Sequence, residues 1–247
     1  MARRATALKA VDAPAVETVV VTPINLVQLQ VKIRGTAPLV MNAFSEKARM
    51  QMMTTMATPK SEKKPKSERP PRDYDAEFEQ AHHRGPDGWV GFPCSGYRAA
   101  IISACRLAGV VMTRARQAVF IRADGLDVKS GQPLVRIIAG EGERTCMHVR
   151  NENGVADIRV RPMWREWEAV LTIEYDADWI SAESVLNLIN RAGYAVGCGE
   201  GRPGSPNSVG MGWGTFEIIG TLQPKRKPKA DDKVRPLVNM LHDDGQE

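Results

Sequence analysis

Cysteine is scarce in this sequence, with four residues in 247, Cys94, Cys105, Cys146 and Cys198, and no CxxC pair among them. That spacing argues against a zinc ribbon or a disulfide framework, and the small or apolar neighbours of most of them suit reduced, buried thiols. Long hydrophobic runs are also missing. No stretch approaches the roughly 18 consecutive apolar residues of a membrane span. No apolar region follows Met1-Ala2-Arg3-Arg4-Ala5-Thr6 as it would in a signal peptide. A soluble, cytoplasmic protein with no membrane partner is expected. Histidine is sparse too: His82 and His83 are adjacent and point apart on any regular element, His148 stands alone in a predicted strand, and His242 lies in the tail. None of these suits a metal or acid–base site. GxSxG, HExxH and paired-aspartate constellations are absent as well, so no catalytic residue, metal or cofactor is expected.

What is present suffices for one sizeable core, since 43% of the residues are hydrophobic. The formal charge of +5 and sequence pI near 9.1 suit a polyanionic partner, though the excess is modest for this length. The predicted organisation is a flexible N-terminus over 1–16, a single α+β domain over 17–222 and a basic disordered tail over 223–247. Within the domain a basic mobile insertion is expected at about 57–87. Its segment 58–72 carries Lys60, Lys63, Lys64, Lys66, Arg69 and Arg72 among Pro and Ser, opposed only by Glu62 and Glu68. Such a composition cannot bury a core. It reads either as a solvated linker or as an arm that wraps a phosphate backbone, with Lys63 and Lys64 as contacts.

Strict alternation over Val27–Ile33 predicts a half-buried strand. A helical run from Ser45 to Met56 carries Met50, Met52, Met53 and Met56, expected to fill core gaps, with a Met-lined binding surface as the alternative. After a strand and turn at Gly88–Pro93, a helix is expected with Ser95 as N-cap and Gly109 as left-handed cap. Tyr97, Ala100, Ile101, Ala104 and Ala108 share one of its faces. Val119–Arg122 and Pro133–Ile138 read as strands around an Asp124-Gly125 turn, and Asn153-Gly154 predicts a hairpin between 147–150 and 155–160. Ala169–Tyr175 is a further strand. Ser181 then caps a helix burying Val185, Leu186, Leu188, Ile189 and Ala192, with Gly193 at its end.

A glycine-rich stretch follows, Gly197 to Gly204 and Gly210 to Gly214, before a last strand over Thr215–Ile219. Known phosphate loops follow a strand and open a helix, the reverse of this order. The stretch can still bring backbone N–H groups to a phosphate or to another chain, with Arg202 supplying charge; a tight turn against a helix is the alternative. Arginines concentrate at Arg114, Arg116 and Arg122, and again at Arg150, Arg159, Arg161 and Arg165 beside Trp164 and Trp167. Guanidinium forks suit phosphates and an exposed aromatic suits stacking on a base. Arg159 and Arg161 fall on the same strand face by alternation. A solvated charged face remains the alternative.

Three features in order carry a resemblance over about residues 27–219. A first strand ends in Gly35-Thr36-Ala37-Pro38-Leu39-Val40. Then Gly91-Phe92-Pro93-Cys94-Ser95-Gly96-Tyr97-Arg98 opens a helix, and a C-terminal helix leads through a glycine-rich loop to Gly212-Trp213-Gly214-Thr215-Phe216. This resembles the RAMP superfamily of CRISPR-associated proteins, specifically the backbone subunit that polymerises along a guide RNA. The resemblance implies a ferredoxin-like, RNA-recognition-motif-like antiparallel sheet with helices on one face and long insertions, the 58–84 loop and parts of 120–165 serving as thumb or web. It implies that Ser95 and Arg98 meet the phosphate backbone and that Arg202 lies near the strand or the next subunit. Target-cutting backbone subunits carry an aspartate after the first strand, where this chain has Asn42-Ala43-Phe44-Ser45. End-processing relatives use an early histidine, and none precedes His82. Both departures argue against cleavage, and Pro203 to Val209 lengthen the glycine-rich loop. A phage or mobile-element protein built on the same core fits equally well.

The leading expectation is a non-catalytic subunit that coats a single strand, RNA ahead of DNA, in several copies, with other effector subunits as further partners. The rivals are a nuclease of the same fold and a phage structural or interaction protein that mimics a backbone subunit.

Overall fold

The alternation of the first strand is realised as expected: in β1 (Leu26–Gly35) Leu29, Val31 and Ile33 are buried while the intervening Gln30 and Lys32 are not. The computed structural model describes residues 22–44, 46–57, 72–150, 156–205 and 211–222. In chain order the remaining elements are β2 (Leu39–Val40), α1 (Glu46–Ala57), α2 (Tyr74–Gln80), β3 (Gly91–Pro93), α3 (Cys94–Ala108), α4 (Met112–Ala118), β4 (Val119–Arg122), β5 (Gly125–Leu126), β6 (Pro133–Ile138), β7 (Glu143–Arg150), β8 (Ala156–Trp164), β9 (Glu168–Asp176), α5 (Ala182–Arg191) and β10 (Phe216–Leu222). The architecture is α+β with antiparallel sheets. No described helix is long and apolar enough to cross a membrane.

The main sheet runs β10-β1-β9-β6-β3, with β5 beside β6. β4 pairs with the later part of β9, Thr172–Tyr175, while β6 pairs with its start, Glu168–Ala169. Along β10-β1-β9-β4 every neighbour is antiparallel, the path from β1 to β4 passes through α3, and α5 links β9 to β10. One sheet face supplies Leu29, Val31, Ile33, Leu171, Ile173 and Val135 to a single core with Tyr97, Ile101 and Ala104 of α3 and Val185, Leu188 and Ile189 of α5. A smaller sheet, β2-β8-β7, has its own cluster of Val40, Met147 and Met163, with Trp213 against it.

The opposite face of the main sheet is polar and pairs with itself. Lys32 Nζ lies 2.7 Å from Glu168, Arg34 Nη2 2.6 Å from Glu217, Arg122 pairs with Glu174, and Gln30 donates to Thr172 Oγ1 at 3.3 Å. These are adjacent and diagonal cross-strand neighbours, which bring opposite charges into contact.

Several expectations need correction. Pro93, not Ser95, stands at the N-cap of α3, without a side-chain cap bond; its φ of −56° already suits helix entry, so Ser95 falls inside the first turn. The chain does not reverse at Asp124-Gly125. It reverses over Asp127–Gln132, where Asp127 N donates to Gln132 O at 2.8 Å, Ser130 Oγ donates to the Asp127 carboxylate at 2.5 Å, and Gly131 takes φ +70°. Gly193 does not end α5, which continues as a π-helical turn over Ala192–Val196. Glycine is required there because a Cβ would sit 2.0 Å from Phe216 O. Met50, Met52, Met53 and Met56 of α1 are all exposed instead of filling core gaps.

The expected mobile insertion at 57–87 is partly folded. Asp73 caps α2 by accepting from Asp75 N and Ala76 N, and Ala81, His82 and His83 are buried behind it. Residues 58–71, including Lys63 and Lys64, lie outside the described residues, as do 1–21 and 223–247 and the Asn153-Gly154 turn. β7 and β8 nevertheless pair across that turn from Arg150↔Ala156 to Glu143↔Met163. Ser181 and Gly109 cap their helices as expected.

Candidate nucleic-acid interface

The sequence-predicted contacts fall into two groups. The first surrounds α4, a helix not foreseen in the sequence. Arg98 projects from the opening turn of α3 to β4, an edge strand paired only with β9. Its Nε donates to Val119 O at 2.9 Å, its Nη2 donates to Arg116 O, and its guanidinium lies 4.6 Å from the Phe120 ring centroid. Arg98 therefore satisfies carbonyls at the α4–β4 junction and is a structural clamp before it is a ligand contact. Ser95 is exposed in the same helical turn.

Arg114 and Arg116 project from α4 and are exposed. Neither guanidinium makes a hydrogen bond or ion pair with a described residue; Arg114 lies 5.8 Å from the centroid of Trp179. Phe120 and Trp179 are 47% and 58% exposed, so aromatic surface lies beside Arg98 and Arg114 respectively. Arg106, nearby in the last turn of α3, meets only the Met112 sulfur at 3.3 Å. Arg122 differs: its Glu174 partner holds it, and that hydrogen bond raises its pKa above the ordinary value.

The second group sits on β8 and the glycine-rich loop. Arg159 Nη1 and Arg161 Nε, on one strand face, both donate to the Glu200 carboxylate at 3.2 Å. The loop is tied down around that carboxylate: Glu200 N donates to Val40 O at 2.9 Å, Cys198 N to Gly214 O at 2.9 Å and Gly214 N to Pro38 O at 2.8 Å. These N–H groups are therefore used within the protein. Gly214, at φ +65°, shows why glycine is required, because a Cβ would lie 1.7 Å from Cys198 O. Arg202 Nη1 donates to Gly199 O at 3.0 Å. Arg72 joins from the start of α2, bonded to Glu77 at 2.8 Å and to Asp157 at 2.6 Å.

Trp164 does not belong to an exposed stacking surface. It is 3% exposed, and its Nε1 donates to Gly140 O at 3.1 Å. Its position at the β8 end, beside β2, draws it into the core. Trp167 is buried as well, with Nε1 donating to Ala37 O at 2.9 Å. Arg150 closes β7 opposite Ala156.

Among the described residues no group of three or more His, Cys, Asp or Glu is placed to hold a metal ion. His83 Nδ1 lies 3.3 Å from Asp127, which also accepts from Ser130 and from Arg84 N at 3.3 Å. That carboxylate organises the 127–132 turn. Sequence reading missed Trp179, whose place in the turn after β9 carries no pattern, and Arg106, which reads as an ordinary polar position of α3. Compared with known proteins, the chain matches no protein-family model and no curated sequence.

Proposed function

We propose that this protein is a non-catalytic subunit that binds single-stranded nucleic acid, RNA ahead of DNA, and assembles in copies along it. The observation that carries this reading is the α4 surface. Arg114 and Arg116 have no carboxylate partner among the described residues; the exposed Trp179 ring lies beside Arg114, and the exposed Phe120 ring lies beside Arg98, which donates to Arg116 O. Guanidinium groups that are not neutralised in the protein are free to take phosphates, and exposed rings suit stacking on unpaired bases. On the polar sheet face Lys32, Arg34 and Arg122 each already have a carboxylate, which makes the α4 edge a stronger phosphate site than these three.

A ferredoxin-like, RAMP-type core is supported by the strand order β10-β1-β9-β4 with α3 and α5 in the two crossovers. A cytoplasmic location accompanies this reading, supported by free thiols at Cys94, Cys105 and Cys198 that are all buried. Further partners in this reading are other subunits of an effector assembly. The test is binding of labelled single strands by wild type and an Arg114→Ala/Arg116→Ala double variant over a salt series. Losing two phosphate contacts is expected to make the log–log salt slope shallower by about 1.4, at about 0.7 per contact on a single strand. An unchanged slope would remove α4 from the interface.

A further inference from the structure

A cavity of 530 Å³ lies where α2, the 82–90 loop, the β6–β7 connection and the end of β8 meet, apart from both arginine groups. Its size is within the range of small-molecule sites, about 300–1,000 Å³. Aromatic rings of Phe78, His82, Trp89 and Trp164 line it. His82 stands edge-on to Phe78 at 4.9 Å and to Trp164 at 5.6 Å.

The two indoles are fixed by backbone. A Cβ at Gly85, Gly91 or Gly125 would lie 2.1, 2.7 or 2.8 Å from the Trp89 ring, and one at Gly142 would lie 2.7 Å from Trp164. Glycines from separate segments thus leave room for rings that cannot turn away. The Nε1 bond from Trp164 to Gly140 O fixes that ring further. An aromatic surface set before a ligand arrives loses little entropy on binding.

Charge enters from Arg84 and Arg136, which line the same cavity. Arg84 is shared with Glu79 at 3.1 Å. Arg136 is exposed, and its guanidinium has no hydrogen bond or ion pair among the described residues. Acceptors are present as well. Glu79 and Glu141 carry carboxylates at the wall, and His82 Nδ1 donates to Phe78 O at 2.9 Å, which leaves Nε2 as the acceptor of the neutral ring. A bare anion would leave the rings unused, a neutral aromatic would leave Arg136 unused, and an aryl phosphate has no N–H donors for the carboxylates.

We propose that this cavity binds a nucleoside monophosphate unit, with its base against Trp89 and its phosphate on Arg136. The unit is either a free nucleotide or one nucleotide of a bound strand, and only the second source rests on the strand-binding reading. The full chain is titrated with AMP, CMP, GMP and UMP by tryptophan fluorescence, with Trp89→Phe to assign the signal. In parallel it is titrated with a single-stranded oligonucleotide carrying one 2-aminopurine.

Saturable quenching by a mononucleotide, weakened about tenfold in Arg136→Ala and partly restored in Arg136→Lys, supports a free-nucleotide site, even if the oligonucleotide does not bind. 2-Aminopurine quenching that depends on Arg136, without mononucleotide binding, supports a site for a strand's own nucleotide. Oligonucleotide binding with neither readout dependent on Arg136 overturns the cavity site and leaves the α4 reading standing. No response to either ligand overturns the cavity site too. Arg136 is exposed, so its variants keep the fold.

Discussion

Glu200→Gln removes the charge that holds Arg159 and Arg161, and its effect on stability and on binding should have opposite signs. The Glu200, Arg159 and Arg161 side chains are 22%, 36% and 14% exposed, between a surface and a buried setting. Exposed pairs contribute about 0–1 kcal/mol each. Breaking a fully buried pair costs about 3–5 kcal/mol. Glutamine keeps an acceptor oxygen, so a combined loss of about 1–2 kcal/mol is expected, or about 2–8 °C in Tm at this chain size. Thermal unfolding by circular dichroism measures it. If the glycine-rich loop lies along a bound strand, the same change frees two guanidinium groups for phosphate. Affinity for a single strand at low salt should then rise, and the log–log salt slope should steepen by up to about 1.4. Fluorescence anisotropy over a salt series reads both. A fall in affinity, or an unchanged slope in a folded variant, would refute the idea that Glu200 competes with phosphate for these arginines.

Gly214→Ala should destabilise the chain by more than about 3 kcal/mol, because the methyl would overlap Cys198 O in a backbone at φ +65°; a shift in Tm below that of Glu200→Gln would contradict the loop geometry. Burial pushes the Cys94 thiol up to about 11 and also raises Cys105 and Cys198, while Cys146 is exposed. An aromatic disulfide reagent at pH 8 should therefore label Cys146 quickly and the other three only on unfolding, and fast native labelling of Cys94 or Cys198 would count against their packing. Burial, with Arg84 adding to it, holds the His82 imidazole below its usual 6.5. The unfolded chain then takes up the proton first, so stability should fall as pH drops below about 6.5 towards the lower folded value. His82→Gln should flatten that dependence in denaturant midpoints between pH 7 and 5, and an equal slope in the variant would exclude His82 as its source.

Local signals reached the structure where a local cause decided the outcome. The alternation of β1, the Ser181 cap and the left-handed Gly109 each follow from a few neighbouring residues. Where a distant contact decided it, the same kinds of signal misled. Gly193 reads as a helix stop, yet it is glycine because Phe216 O comes close from β10. Asp124-Gly125 reads as a turn, yet the Asp127 carboxylate, held by Ser130 and His83, places the reversal further on. Methionine content signals adaptable apolar surface without its location, and α1 is exposed. Arg159 and Arg161 were legible as a pair on one strand face, but Glu200 lies about 40 residues further along the chain, beyond any local pattern. The Trp89–Trp164 cavity draws on four segments, α2, the 82–90 loop, the β6–β7 connection and the end of β8, and leaves no motif at all.

Binding of the purified chain to labelled single-stranded RNA, single-stranded DNA and duplex across a salt series, with complex size followed at the same time, decides most directly whether this is a strand-coating subunit. Steep salt dependence with stepwise growth of the complex on one kind of single strand is expected, with RNA ahead of DNA. No binding to any strand at low salt, or binding without growth and with equal preference for duplex, would contradict it.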